Sequence, residues 1–280
     1  MNAIDARLGI SGQVLKAATD AGRAALIGYL PVGYPNVPGS LAAMRALVEG
    51  TDGQGVDLVE IGMPYSDPMM DGLVIQHATT KALERGVRTH DLFSAVEAVA
   101  QAGATPMVMI YWSLVDRYGV DAFARDLAAA GGAGLITPDL TPDESADWVA
   151  ASDAHGLDRV FLIAPSSSDE RIVMTMAACR GWVYATSVMG VTGARAQTSS
   201  AAPVIVQRAR DADPSLPVGV GLGVSNGDQA AEVASYADAV IVGSALVSRL
   251  ISAEDAGSGD LRPLRKTVAD LAAGVRRQRR

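Results

Sequence analysis

The chain has 280 residues, 49% of them hydrophobic, and a mean hydropathy of +0.20, so it can bury a large core, yet no apolar run is long enough to span a bilayer. A formal net charge of −8 and a pI near 4.9 argue against nucleic-acid binding. The single cysteine, Cys179, excludes an intrachain disulfide and suits a reducing cytoplasm, and His77, His90 and His155 are too dispersed to match a metal-ligand spacing.

The N-terminal residues lack a basic region followed by an apolar one, so no secretory signal is expected. Residues 4–22 read as a helix outside any repeat, able to plug one end of a barrel. Eight short apolar, β-rich segments follow, over 24–30, 56–62, 106–112, 134–139, 159–164, 182–187, 217–223 and 238–243. Ala-rich stretches with helical spacing separate them, over 37–49, 91–102, 121–130, 143–155, 169–178, 199–209 and 228–236. Asp91, Asp143 and Ser199 stand where an N-cap is expected. Residues 73–85 read as an additional helix after the second strand, and 253–260 as a Gly/Ser/acidic loop within the last helical unit. Cys179 falls in an Ala-rich stretch and reads as a packed thiol. The basic cluster Arg276, Arg277, Arg279 and Arg280 complements a last helix's dipole or frays in solvent.

Alternation of strand and helix implies parallel strands with right-handed crossovers. Eight units in this length make a single α/β domain over 1–280, a (β/α)8 TIM barrel with an extra N-terminal helix and an extra helix after strand 2. An open doubly wound sheet is the competing architecture. The barrel is preferred because the count is eight and no composition break divides the chain.

In a barrel the chemistry sits at the C-terminal strand ends. Residues 56–72 organise that end. An apolar run carries Glu60 near its close, and a loop of Pro, Ser, Asp and Gly carries Asp71. A buried carboxylate is costly unless it is paired or does work. Two readings stand side by side: Glu60 as a satisfied core acid and Asp71 as a helix N-cap, or both acids facing one cavity. Gly193, Gly221, Gly223, Gly243 and Ser244 follow the sixth, seventh and eighth strands. Their backbone amides suit a phosphate held with little help from Lys or Arg. Tyr29, Tyr65, Tyr111 and Tyr184 cluster at strand ends although aromatics are only 5% of the chain. They read as the wall of a pocket for a flat heterocycle, or singly as core residues at barrel corners.

The run Glu-Ile-Gly-Met-Pro-Tyr-Ser-Asp-Pro-Met-Met-Asp-Gly over 60–72 resembles the signature of the tryptophan synthase alpha subunit family. Met-Ile-Tyr-Trp at 109–112, Gly-Gly-Ala-Gly-Leu-Ile-Thr-Pro-Asp-Leu at 131–140 and Leu-Ile-Ala-Pro at 162–165 are similar to it too. So are Gly-Val-Thr-Gly at 190–193, Gly-Leu-Gly-Val-Ser at 221–225 and Val-Gly-Ser at 242–244. The resemblance implies retro-aldol cleavage of indole-3-glycerol phosphate to indole and glyceraldehyde 3-phosphate, without metal or cofactor in this subunit. It implies Glu60 as general acid/base and Asp71 on the indole N–H. Tyr29, Tyr111 and Tyr184 would shape the substrate pocket, and Thr192 would close a mobile loop over it. Gly193, Gly223, Gly243 and Ser244 would bind the phosphate. Pro64, Asp67 and Pro68 would meet a beta subunit that receives the indole, in an alpha2beta2 complex in the cytoplasm.

Four positions at three sites depart from the family's pattern. Val188 and Met189 replace an Arg and a small residue on the mobile loop, Ser113 replaces a frequent Asn, and Leu73 a usual Pro. The first bears on loop closure, the other two on partner contact. A stand-alone lyase, a non-catalytic scaffold and another phosphate-handling barrel are the competing functions. The two acids together with the phosphate glycines speak against the scaffold, and the tyrosine-lined pocket speaks against a sugar-phosphate isomerase.

Overall fold

The computed structural model describes residues 3–67, 70–186, 201–221 and 223–277. In chain order the elements are α1 (Ala3–Asp20), β1 (Ala25–Pro31), α2 (Val37–Glu49), β2 (Leu58–Gly62), α3 (Leu73–Glu84), α4 (Thr89–Gln101) and β3 (Thr105–Met109). Then come α5 (Trp112–Tyr118), α6 (Val120–Ala129), β4 (Gly134–Ile136), α7 (Ala146–His155), β5 (Asp158–Val160), β6 (Leu162–Ile163), α8 (Asp169–Ala178) and β7 (Val183–Thr186). The chain continues through α9 (Ala201–Ala212), β8 (Val218–Gly221), α10 (Gly227–Ala234), β9 (Ala239–Val242), α11 (Ser244–Asp255) and α12 (Arg262–Val275).

Every strand pairing is parallel, and the ladder runs β5-β4-β3-β2-β1-β9-β8-β7-β6. Its two ends, β5 and β6, are consecutive in the chain with only Phe161 between them. One stretch of backbone therefore bonds β4 on one side and β7 on the other, and the sheet returns to its start as a (β/α)8 barrel. The open-sheet alternative falls with that closure. β1, β2 and β9 are buried along their whole length, as strands covered on both faces must be.

Alternation along the strands sorts side chains into two layers. Ala25, Ile27, Leu58, Met107, Ile136, Val160, Trp182, Tyr184, Ala239 and Ile241 fill the interior. The intervening residues pack outward against the helices. Small residues make room for large ones: a Cβ on Gly219 would lie 2.7 Å from the Trp182 ring.

The floor of the barrel is closed by α1, whose Leu15 and Ala18 join the interior cluster. The helix breaks at Gly9, with φ 54° and ψ −152°. Past that break Asp158 receives the amides of Ile10 and Ser11, at 3.3 and 2.6 Å, and the Ser11 hydroxyl at 2.7 Å. Burial nonetheless pushes the Asp158 carboxyl up to about 6.

Several local expectations are corrected. The third strand ends at Met109, and Trp112 opens a helix, α5, that the sequence reading had placed in the strand. Asp91 is not an N-cap: it lies inside α4 and accepts the Arg88 amide at 2.8 Å. Asp143 sits in a 3-10 turn, Pro142–Glu144, before α7. Side-chain caps come instead from Asn36, Ser168 and Asn226. Ser199 lies outside the described residues. Cys179 is buried at the end of α8, where desolvation lifts its thiol to about 12, so it is a packed thiol. Arg276 donates to the Ala272 carbonyl in the last turn of α12.

Candidate active site

Glu60 is the middle residue of β2, a carboxylate in a row of buried aliphatics. It is 2% exposed, and its Oε2 has no hydrogen-bond partner among the described residues. The satisfied-core-acid reading therefore fails. Desolvation, with a smaller contribution from the charge of Asp71, pushes its carboxyl up to about 8. An acid in that state both gives and takes protons near neutrality.

Asp71 lies on the loop between β2 and α3, partly buried, and desolvation raises its carboxyl to about 6. It is not the helix N-cap: Gly72 holds that position without a side-chain cap bond. Its backbone carbonyl accepts the Gln76 side-chain amide at 2.6 Å, tying the loop to the first turn of α3. From the loop, the charge of Asp71 thus acts on Glu60 on the strand.

Three tyrosines surround them. Tyr29 pairs in register with Glu60 across β1 and β2. Burial, then the nearby charges of Asp71 and Glu60, hold its phenol well above the ordinary range. Tyr184 on β7 is raised in the same way by burial and by Glu60. Both hydroxyls occupy space that glycines leave: a Cβ on Gly62 would lie 2.3 Å from the Tyr29 hydroxyl, and one on Gly221 2.3 Å from that of Tyr184. At Gly221 any side chain would collide with the Tyr184 hydroxyl. Tyr111 precedes α5, stacks on Tyr65 with ring centroids 4.7 Å apart, and accepts the Met70 amide on its hydroxyl at 3.3 Å. Tyr65 in turn accepts from Ser113 at 3.1 Å. Asp139, three residues beyond β4, accepts the Trp112 amide on both carboxylate oxygens, at 2.9 and 3.0 Å.

Across the mouth, Gly243 precedes the first turn of α11 and Ser244 begins it, 6% exposed. Amides in a helix's first turn have no intrahelical acceptor and favour an anion. Gly223 has φ 68°, a conformation that favours glycine. Of the expected partner surface, Pro64 is buried within this chain while Asp67 is exposed and accepts from Ser66 at 2.7 Å. Thr192, Gly193 and Pro68 lie outside the described residues, as do Val188 and Met189.

The structure thus brings together Glu60, Asp71, Tyr29, Tyr111 and Tyr184, with Gly243 and Ser244 on a neighbouring strand end. Sequence reasoning missed the Tyr65–Tyr111 stack and the part played by Asp139. The signal available for Asp139 was an acid at a strand end. No cluster of three or more His, Cys, Asp or Glu able to hold a metal occurs among the described residues. No helix is long and apolar enough to cross a membrane among them.

Comparison with known proteins adds the family context. A family model described as tryptophan synthase alpha chain matches residues 15–276. The tryptophan synthase alpha chain of Mycobacterium avium (strain 104) is 58% identical over 267 residues, covering 95% of this chain and 94% of that one. That of Salinispora tropica is 58% identical over 265 residues, covering 95% and 97%. Among solved structures, Mycobacterium tuberculosis tryptophan synthase in space group F222 superposes with TM-score 0.89 at 57% identity, over 96% of this chain and 98% of that one. The alpha subunit from Legionella pneumophila str. Paris keeps a TM-score of 0.79 at 29% identity, over 98% and 97%.

Proposed function

The chain belongs to the tryptophan synthase alpha chain family, an enzyme subunit that cleaves indole-3-glycerol phosphate, and we propose that Glu60 and Asp71 are the groups that carry the cleavage. The observation that supports this most is the buried strand-end carboxyl of Glu60, lifted to about 8 beside a second acid.

The indole ring is a poor leaving group until C3 is protonated. Glu60 gives its proton to C3, and positive charge develops on the ring nitrogen. Asp71, ionised, accepts the hydrogen bond of that N–H and stabilises the charge as it forms. The Glu60 carboxylate then takes the proton of the glycerol hydroxyl next to the ring. The carbonyl forms, the carbon–carbon bond breaks, and its electron pair restores the aromatic ring. Indole and glyceraldehyde 3-phosphate leave, and Glu60 is again protonated. No oxidant or external acid enters the balance.

Tyr29, Tyr111 and Tyr184 form the apolar wall for the ring in this reading. The amides at Gly223, Gly243 and Ser244, together with Gly193, take the phosphate, and Thr192 closes over the substrate. Residues 1–280 act as one domain: α1 fills the barrel floor, and α12 is tied back by Asp270 accepting the Gly227 amide at 2.7 Å. Released indole passes to a beta subunit in an alpha2beta2 complex, which Pro64, Asp67 and Pro68 meet in this reading. A packed thiol and a biosynthetic reaction fit the cytoplasm.

The test is indole release from indole-3-glycerol phosphate, with and without a beta subunit. Slow release alone and strong stimulation by the partner support the reading. Full turnover alone makes the chain a stand-alone lyase, and no release in either case removes the proposal.

A further inference from the structure

We propose that Asp139 is a positioning residue for the indole end of the site: from the loop that follows β4 it fixes the start of α5, and through Tyr111 the loop that carries Asp71. The inference rests on the reading of Glu60, Asp71 and Tyr111 given above.

The geometry is a chain of four contacts. Asp139 grips one amide, that of Trp112, with both carboxylate oxygens at 2.9 and 3.0 Å. Trp112 is the first residue of α5, and Tyr111, the residue at the helix's N-cap position, offers no side-chain cap bond of its own. First-turn amides need an acceptor from outside the helix, and here the loop after β4 supplies it. Trp112 directly follows Tyr111, so fixing its amide fixes the backbone on which the Tyr111 ring is mounted. The ring lies against Tyr65, and its hydroxyl receives the Met70 amide at 3.3 Å. Met70 directly precedes Asp71. Ser113, the next residue of α5, donates to the Tyr65 hydroxyl at 3.1 Å and ties the same loop a second time.

Glu60 reaches the site by a different route. It stands on β2, held by ladder bonds to β1 and β3. Loss of the Asp139 grip therefore loosens one acid and leaves the other in place. The loop needs such an anchor because its own secondary structure is sparse: between Gly62 and Leu73 no helix or strand occurs among the described residues. A misplacement on the order of an ångström at a positioning group lowers turnover by up to about a hundredfold.

The test is steady-state kinetics of Asp139→Ala and Asp139→Asn in the complete chain with its beta subunit, alongside Glu60→Gln. Asparagine keeps an acceptor oxygen for the Trp112 amide; alanine keeps none. Asp139→Ala is expected to lower kcat on the order of tenfold, with a smaller change in KM, and Asp139→Asn to recover most of the loss. Combined with Tyr111→Phe, Asp139→Ala is expected to be far less than additive, because both act through one contact. Should Asp139→Ala fail to fold, Asp139→Ser, too short to reach Trp112, replaces it with the same expectations. An unchanged kcat, a loss that asparagine does not recover, or full additivity with Tyr111→Phe overturns the inference. If Glu60→Gln also retains turnover, it is the proposed function that has failed. If only Glu60→Gln is inactive, the positioning role alone falls.

Discussion

Tyr29 and Glu60 are register partners on adjacent barrel strands, and Gly62, two residues beyond Glu60 on the same face, leaves the hollow that the Tyr29 hydroxyl occupies. One pleat thus delivers an acid, and the next delivers the space for the ring beside it.

A methyl group in that hollow has nowhere to go. A Cβ on Gly62 would meet the Tyr29 hydroxyl at 2.3 Å and its ring at 2.5 Å. Gly62→Ala is therefore expected to displace Tyr29 and lower kcat/KM by about tenfold or more, with the barrel intact by circular dichroism. Added to Tyr29→Ala it should cost little further, since the clash is already gone. Full additivity of the two changes would show that Gly62 acts elsewhere.

The raised carboxyl of Glu60 also has a stability signature. Its folded value of about 8 lies above the ordinary 4.5. This group's contribution is full below the ordinary carboxyl range and is lost as the pH rises through about 8, because the native state must then hold an ionised, desolvated carboxylate. Glu60→Gln removes the titration. Its stability relative to the wild type is expected to match near pH 4.5 and to rise by roughly a few kcal/mol by pH 9. Denaturant midpoints across that range measure it. Parallel pH dependences of the two proteins would contradict the burial argument.

The rate should follow both acids. Cleavage needs Asp71 ionised, and its carboxyl is raised to about 6; it needs Glu60 protonated, and that carboxyl sits at about 8. The pH profile of kcat/KM is expected to rise through about 6 and fall through about 8, the two limbs belonging to the coupled pair. Asp71→Asn should lower kcat on the order of a hundredfold and erase the acid limb, with affinity for glyceraldehyde 3-phosphate little changed. A large loss of that affinity instead would mean that the residue serves the phosphate end.

Much of this was legible in the chain because a barrel repeats one physical unit. Apolar strand, loop and Ala-rich helix recur, and the strand ends name the site before any coordinate. Glu60 and Asp71 stood out because acids are costly at a buried strand end and on the loop beside it. What the sequence could not show depends on contacts between distant segments. Trp112 looked like the tail of a strand, since its helical turn depends on Asp139, far along the chain, taking its amide. That Gly221 also leaves room for the Tyr184 hydroxyl could not be read, since only the fold brings the two together. Asp91 and Asp143 had the right residue type for caps but stand two or three residues away from the position that caps.

The most direct measurement of the central claim is the kcat of Glu60→Gln for indole release in the presence of the beta subunit. Glutamine fills the same space and carries no exchangeable acid proton. The predicted result is a loss of at least about a hundredfold with the fold and phosphate binding kept. A rate within about twofold of the wild type would contradict it, because some group other than Glu60 would then move the proton.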